Sequence, residues 1–271
     1  MATGKPDPAE MRRVSATSHR RSAFRIKPLG LALFAALYAY DKLSSHLWSA
    51  GLWWDVAWIA CVLMPATFAL VLIALPLRQW PHLLPAGLVA AVLAAIFTTV
   101  HAPVLANFSR LAAATLLGWW FLRYFEELSW VVLVACVIPW VDAYSVWRGP
   151  TKQIVSHHEH VFTVLSYAFP VPGEHSAANL GVPDLLFFAL FLGAAAKFEL
   201  RVVWTWVALV VGLGATIALT VWFDLSGLPA LPGIALGFLV PNVDLLWRRL
   251  RRQPGLGDGP DVAGGGTAHD V

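Results

Sequence analysis

The sequence predicts an all-α polytopic membrane protein with about eight transmembrane helices. Hydrophobic residues make up 58% of the 271-residue chain and charged residues only 13%, whereas soluble proteins carry about 25% charged residues. Fourteen Trp and fifteen Phe residues add aromatic rings, which collect at bilayer interfaces. Apolar segments near the length of about 20 residues that a spanning helix needs recur along the chain. This composition excludes a secreted soluble enzyme and a disordered scaffold.

Eight apolar segments divide the chain into regions. They cover residues 29–48, 52–76, 83–104, 106–122, 128–147, 183–199, 202–223 and 228–247. We expect a basic tail over 1–28, a four-helix membrane region over 29–127 and a second membrane region over 128–247. The second region contains a long connection, 148–182, and long connections often carry function. The tail 248–271 begins basic and becomes rich in Gly, which is typical of disorder.

Basic residues predict the direction in which the chain crosses the membrane. Clusters of Arg and Lys precede the first apolar segment and follow the last one, and such clusters favour the cytoplasmic side and attract lipid headgroups. An even number of spans also places both termini on one side, so we expect both to be cytoplasmic. Arg148 and Lys152 in the long connection oppose this placement. The many Ala, Gly and Arg residues point to a bacterial plasma membrane, and nothing in the sequence indicates a nucleic-acid partner.

Two aspartates lie within apolar segments on either side of the long connection. Asp142 comes late in the fifth segment, and Asp184 lies at the start of the sixth. An ionisable residue inside a span costs about 2.5–3.5 kcal/mol on insertion scales, so it usually has a function or a partner. Because the two segments meet the same connection, both aspartates are expected at a similar depth towards the same membrane face.

Paired carboxyl groups of this kind suit several functions. Two carboxyl groups in a low-dielectric site cannot both ionise easily and therefore share a proton. Such a pair can activate water and protonate a carbonyl oxygen in peptide hydrolysis. Intramembrane aspartates also bind cations, carry protons or hydrogen-bond neighbouring helices. The pair alone leaves proteolysis and ion or proton transport open.

Three short sequences resemble the motifs of the presenilin and signal peptide peptidase family. The first is VDAYSVW at 141–147, similar to the family's first catalytic motif. The second is GVPDLLFFALF at 181–191, similar to Gly-x-Gly-Asp at the start of the next catalytic helix. The third is GLPALPGIALGF at 227–238, which contains Pro-Ala-Leu. The resemblance covers about 128–247 and keeps the family's motif order.

This resemblance implies an intramembrane aspartyl protease whose catalytic residues are Asp142 and Asp184. Its substrate-binding residues would be Gly181, Pro183, Pro229, Ala230 and Leu231. Substrates would be transmembrane helices of other proteins or signal-peptide remnants, with no cofactor and no metal. The oligomeric state is left open.

The chain departs from the family pattern at three points. Val141 replaces the usual Tyr, Pro183 replaces the second Gly of the second motif, and eight segments replace the usual nine. Proline fixes φ and lacks an N–H, which suits the first turn of a helix. A catalytically inactive relative that binds membrane helices is therefore an alternative, beside a proton- or cation-coupled transporter.

Two further segments lie close to these motifs. The cluster His157, His158, Glu159 and His160 contains zinc-ligand types without the spacing of a known zinc motif. The stretch 161–172 is apolar but too short to span, and it is expected to form a partly buried hairpin or a re-entrant lid. The proline-bracketed segment 228–232 either accepts an extended substrate strand or simply begins the last helix.

Overall fold

The structure, a computed structural model, describes residues 28–48, 51–148, 166–174, 176–225 and 227–252. Helices dominate these ranges, and we number them in chain order. They are α1 (28–43), α2 (Leu52–Gln79), α3 (Leu83–Thr99), α4 (Pro103–Phe121), α5 (Leu128–Arg148), α6 (Val182–Lys197), α7 (Val202–Trp222), α8 (Leu231–Leu239) and α9 (Val243–Arg252). The expected tails 1–28 and 248–271 lie largely outside the described residues.

Three of the helices are long and apolar enough to cross a membrane. They are Leu52–Gln79, Leu128–Ser145 and Val202–Trp222, and Leu83–Thr99 is a shorter apolar helix. The chain is therefore mostly helical, with three candidate membrane-spanning helices among the described residues. Helices also occupy the positions of the other apolar segments, although these are shorter or more polar.

Two expectations about the fold are wrong in part. The segment 228–247 is not one helix, because a 3-10 turn at Val240–Asn242 separates α8 from α9. Pro241 lies in this turn, and a proline in a helix interior removes a backbone hydrogen bond and clashes with the preceding turn. The chain is also not wholly α, because strands β1 (Ser166–Pro170) and β2 (Ala177–Gly181) form an antiparallel hairpin.

The core of the bundle is built around α6. Phe188, Phe191 and the residues between them are fully buried, which explains why this helix is apolar on all sides. Gly118 lets α4 approach α6 closely, since a Cβ on residue 118 would lie 2.7 Å from the Leu186 carbonyl oxygen. Asp184 is thereby carried on the most enclosed helix of the fold.

The hairpin is fixed to one end of the bundle. The Tyr40 hydroxyl donates to the Pro170 carbonyl over 3.1 Å, and the Gly173 amide donates to the Ser44 carbonyl over 2.8 Å. At this end the last residues of α1, α3, α5 and α7 meet the first residues of α2, α4, α6 and α8. We call it the hairpin end. Of the stretch 161–172, residues 166–170 form β1, and 161–165 lie outside the described residues.

Candidate active site

Asp142 projects from the last part of α5 towards the beginning of α8. Its Oδ2 atom accepts a hydrogen bond of 3.0 Å from the Leu231 amide, and the Ala230 amide also faces the carboxylate. The first amides of a helix lack partners within the helix, so they attract an anion. The side chain of Asp142 is half-buried, which leaves part of the carboxyl group accessible.

Asp184 lies in the first turn of α6, three residues after the hairpin ends. Its carboxyl group packs against the backbone of Gly181, where an added Cβ would lie 3.2 Å from Asp184 Oδ2. An acidic residue in the first turn also interacts favourably with the dipole of its own helix. As a whole residue, Asp184 is partly buried.

The fold brings these two aspartates together from separate helices. Their carboxyl groups are close enough to interact electrostatically, although 42 positions, 184 minus 142, separate them in sequence. Two carboxyl groups that interact in this way can share a proton, and such a pair can activate a water molecule. The arrangement is chemically able to activate that water against a carbonyl carbon.

The Pro-Ala-Leu segment lies beside Asp142. Pro229 precedes α8 without regular structure, Ala230 and Leu231 are buried, and α8 begins at Leu231. The segment leads into a helix, but that helix begins at Leu231 and not at Pro229, and the binding of a substrate strand stays a prediction. Its closest link to the site is through backbone amides that face Asp142 rather than through free carbonyl groups.

Gly181 and Pro183 adopt ordinary backbone conformations around Asp184. Gly181 has φ −62° and ψ 143° and directly precedes α6, and Pro183 lies in the first turn, exposed. A first-turn residue needs no N–H donor, so proline is accommodated there. The role of Gly181 is therefore to allow close approach to the Asp184 carboxyl group rather than to provide an unusual φ.

Among the described residues, the outer edge of β2 has no strand beside it, and this edge leads to Asp184. In an antiparallel sheet the N–H and C=O of one residue point the same way and alternate along the strand. Both backbone groups of Ala168 bind the Asn107 side chain, at 3.1 and 2.9 Å, so they point away from β2. In the observed register, Asn179 lies opposite Ala168, and its backbone groups therefore point outward from β2. Within the described ranges, no backbone hydrogen bond joins this outer edge to another segment.

Two residues beside the hairpin were not predicted as functional. Asn107 and Arg110 lie on α4, and Arg110 donates to the Ser166 carbonyl over 3.0 Å. Arg110 was recognisable from the sequence, because a cation inside the apolar segment 106–122 is costly and needs a reason. Asn107 gave no comparable signal, since its importance depends on which strand the fold places beside it.

The described part of the chain contains no cluster of three or more His, Cys, Asp or Glu side chains arranged to hold a metal ion. The cluster at 157–160 lies outside the described residues. Comparisons with known proteins give no further guide, because no family model matches the sequence and no curated protein matches it.

Proposed function

We propose that the protein is an intramembrane aspartyl protease that hydrolyses transmembrane helices or signal-peptide remnants. One observation carries this proposal: Asp142 and Asp184 converge from separate helices at the end of an open strand edge. The three motif resemblances and the apolar composition support it. The presenilin-like arrangement, with eight spans and both termini cytoplasmic, is part of the proposal.

A substrate helix has to unwind before cleavage, and the edge of β2 can bind the unwound backbone. Backbone groups without hydrogen bonds cost several kcal/mol each in hydrocarbon, so an unwound substrate needs replacement partners. The outward backbone groups of Asn179 and its neighbours on β2 can supply them by strand addition. A substrate bound in this way is guided along β2 towards Gly181 and Asp184.

Hydrolysis then proceeds by direct attack of water. One aspartate, ionised, removes a proton from a water molecule held between the two carboxyl groups. The other, protonated, donates its proton to the oxygen of the scissile carbonyl. The C–N bond of the resulting tetrahedral diol then breaks: the first aspartate returns the proton it took from water to the leaving nitrogen, and the second aspartate takes a proton back from a diol hydroxyl, which leaves an acid and an amine. Both carboxyl groups return to their starting state.

The test is cleavage of single-span reporter proteins by the purified chain in lipid. The wild type should cleave at least one reporter, and Asp142→Asn and Asp184→Asn should each lose cleavage by a factor of 10³ or more, on the order of the loss expected for essential acid–base groups. Asparagine keeps the size of the side chain and an acceptor oxygen, so the variants should remain folded. Asp244→Asn, at the opposite end of the bundle, is the matched control and should retain activity.

Ion flux into sealed vesicles separates the transporter alternative from the protease. If the wild type cleaves no reporter while flux depends on both aspartates, the protease proposal is wrong. If neither activity appears but membrane helices still bind, and binding survives both Asn changes, the inactive relative is favoured.

A further inference from the structure

The Asn107 side chain occupies the outer edge of β1, where it makes the hydrogen bonds that a neighbouring strand would make. Its side-chain amide accepts from the Ala168 N–H over 3.1 Å and donates to the Ala168 carbonyl over 2.9 Å. These are the two bonds that a neighbouring strand would make at that residue. Asn107 is buried, so β1 cannot receive another strand there, and within the described ranges the unpaired edge of the hairpin is that of β2.

Arg110 extends the same attachment by one helical turn. Its guanidinium group donates to the Ser166 carbonyl over 3.0 Å, to Asn107 Oδ1 over 3.3 Å and to the Thr98 hydroxyl over 2.9 Å. Ser166 lies opposite Gly181 in the hairpin register. Arg110 thus binds Ser166, which lies opposite Gly181, and Gly181 packs against Asp184.

Arg110 has no ion-pair partner among the residues that the structure describes. In the part of the chain that the structure describes, the salt bridges join Arg201 to Asp244 and Arg249 to Glu199, and Arg110 binds only neutral oxygens. A cation in an apolar segment costs free energy of insertion. A guanidinium group presents several N–H donors in a fixed planar arrangement, whereas an ammonium group does not.

We propose that Asn107 and Arg110 are positioning residues that block the edge of β1 and fix the open edge of β2 in register with Asp184. This inference rests on the proposed function, because the register matters only if a substrate strand adds to β2. Neither residue reaches the reacting atoms. They would affect cleavage through the hairpin, by changing substrate affinity and by changing which bond lies at the dyad, the pair Asp142 and Asp184.

The experiment compares Asn107→Leu, Arg110→Lys and Arg110→Met with the wild type in lipid. Thr115→Val is the matched control, since Thr115 lies on the same helix, is buried and makes no hydrogen bond through its hydroxyl in the described part of the chain. Leucine keeps the branched shape of the Asn107 side chain and removes both hydrogen bonds to Ala168. Lysine preserves the charge of Arg110 and removes its planar arrangement of N–H donors.

Hydrogen exchange gives a readout that does not depend on proteolysis. The Ala168 amide should exchange on the order of tenfold faster in Asn107→Leu, because its acceptor is gone, while Thr115→Val should match the wild type. Equal exchange at Ala168 in folded Asn107→Leu would overturn the proposed attachment. If Asn107→Leu does not fold, exchange at the Ala168 amide in Arg110→Lys decides the question, because Arg110 donates to the same Asn107 Oδ1 atom that accepts from Ala168.

Cleavage kinetics test the link to the substrate. We expect KM to rise by on the order of tenfold in Asn107→Leu and Arg110→Met, and the products to spread over neighbouring bonds. Arg110→Lys should restore part of the affinity. A residue that only stabilises the fold would lower the yield of folded protein and leave KM and the cleaved bond unchanged, which would overturn the positioning role.

The two proposals fail in different ways. Absence of cleavage by the wild type contradicts the protease proposal, and hydrogen exchange then still decides whether α4 holds the hairpin. Cleavage that depends on both aspartates but keeps its KM and its position in Asn107→Leu contradicts the positioning role alone.

Discussion

Asp142 and Asp184 each have a simpler explanation at the residue scale, as caps of helix N-termini. Asp142 accepts from the first amide of α8, and Asp184 lies in the first turn of α6, beside Gly181. Capping carboxylates stabilise helices without any catalysis. Two caps on separate helices do not have to converge, however, and these two do. The Asn variants distinguish the readings, because an amide oxygen still caps a helix and cannot exchange protons with water.

Gly181→Ala tests whether close contact with residue 181 fixes the position of the Asp184 carboxyl group. An added Cβ would lie 3.2 Å from Asp184 Oδ2, so the carboxyl group has to shift by a few tenths of an ångström. We expect cleavage to fall by roughly tenfold, since small displacements of reacting groups are costly, with little change in Tm. Gly227→Ala, where an added Cβ meets no atom within 4 Å, should leave both unchanged. Full activity in Gly181→Ala would show that this contact does not set the site.

Pro183→Gly tests whether the departure from the family motif disables the site. Proline fits the first turn of α6, so its replacement should not increase cleavage. It should lower the free energy of unfolding by about 1 kcal/mol, because glycine makes the unfolded chain less restricted. Cleavage rates and thermal unfolding measured side by side check both statements. A marked gain in cleavage would mean that Pro183 restrains the substrate loop.

At the scale of elements, α8 is held against α7 by contact between backbones. A Cβ on Gly212 would lie 2.4 Å from the Gly233 carbonyl oxygen, and a Cβ on Gly237 would lie 2.8 Å from the Ala208 carbonyl oxygen. Small residues allow helices in membranes to pack this closely. The packing matters for the site, because α8 presents the Leu231 amide to Asp142.

Gly212→Ala should therefore separate α8 from α7 and disturb Asp142. We expect a loss of about 1–3 kcal/mol in the free energy of unfolding, as for other overpacked positions, together with lower cleavage. In Gly214→Ala on the same helix, the added Cβ would lie 3.1 Å from the Ala60 methyl group and no closer than 3.6 Å to the Ala60 backbone, so this change should cost less. Unfolding in detergent measures the difference, and equal stability of the two variants would contradict the proposed backbone contact.

Elements were predictable to different extents from the sequence. Long apolar segments located the helices, because helix length and hydrophobicity are local properties. The break at Pro241 has a local signal in the sequence, because proline interrupts a helix. The hairpin register was not accessible, since pairing between Ser166 and Gly181 depends on long-range contacts with α1 and α4. The convergence of Asp142 with Asp184 was predicted from their shared connection, whereas the roles of Asn107 and Arg110 required the fold.

At the scale of the whole molecule, most of the described cations lie at one end of the bundle. Glu126, Glu127, Glu199 and Asp244 lie there with them, and Lys42 and Arg110 lie near the hairpin. The cations Arg78, Arg123, Lys197, Arg201, Arg248, Arg249 and Arg251 lie at the end opposite the hairpin. The hairpin end carries acidic side chains, including Asp41, Asp142 and Asp184. Positive charge favours the cytoplasmic side of a membrane protein, and we therefore propose that the hairpin and the two aspartates lie towards the outer face.

Cysteine labelling tests this orientation. In a variant whose native Cys61 and Cys136 are replaced by Ala, Glu174→Cys in the hairpin should react with a membrane-impermeant maleimide from outside the cell. Glu127→Cys, before α5, should react only after the membrane is opened. Both residues are exposed, so accessibility alone does not separate them. The reverse labelling pattern would invert the proposed topology.

Analysis of cleavage products in H₂¹⁸O tests the central claim most directly. The purified wild type in lipid should yield two fragments of a cleaved reporter, with one ¹⁸O atom from solvent in the new carboxyl group, as direct attack of water requires. Asp142→Asn and Asp184→Asn, shown to be folded, should yield neither fragment. Fragments produced by either Asn variant at a rate near that of the wild type would contradict the account, because hydrolysis would then proceed without the aspartate pair.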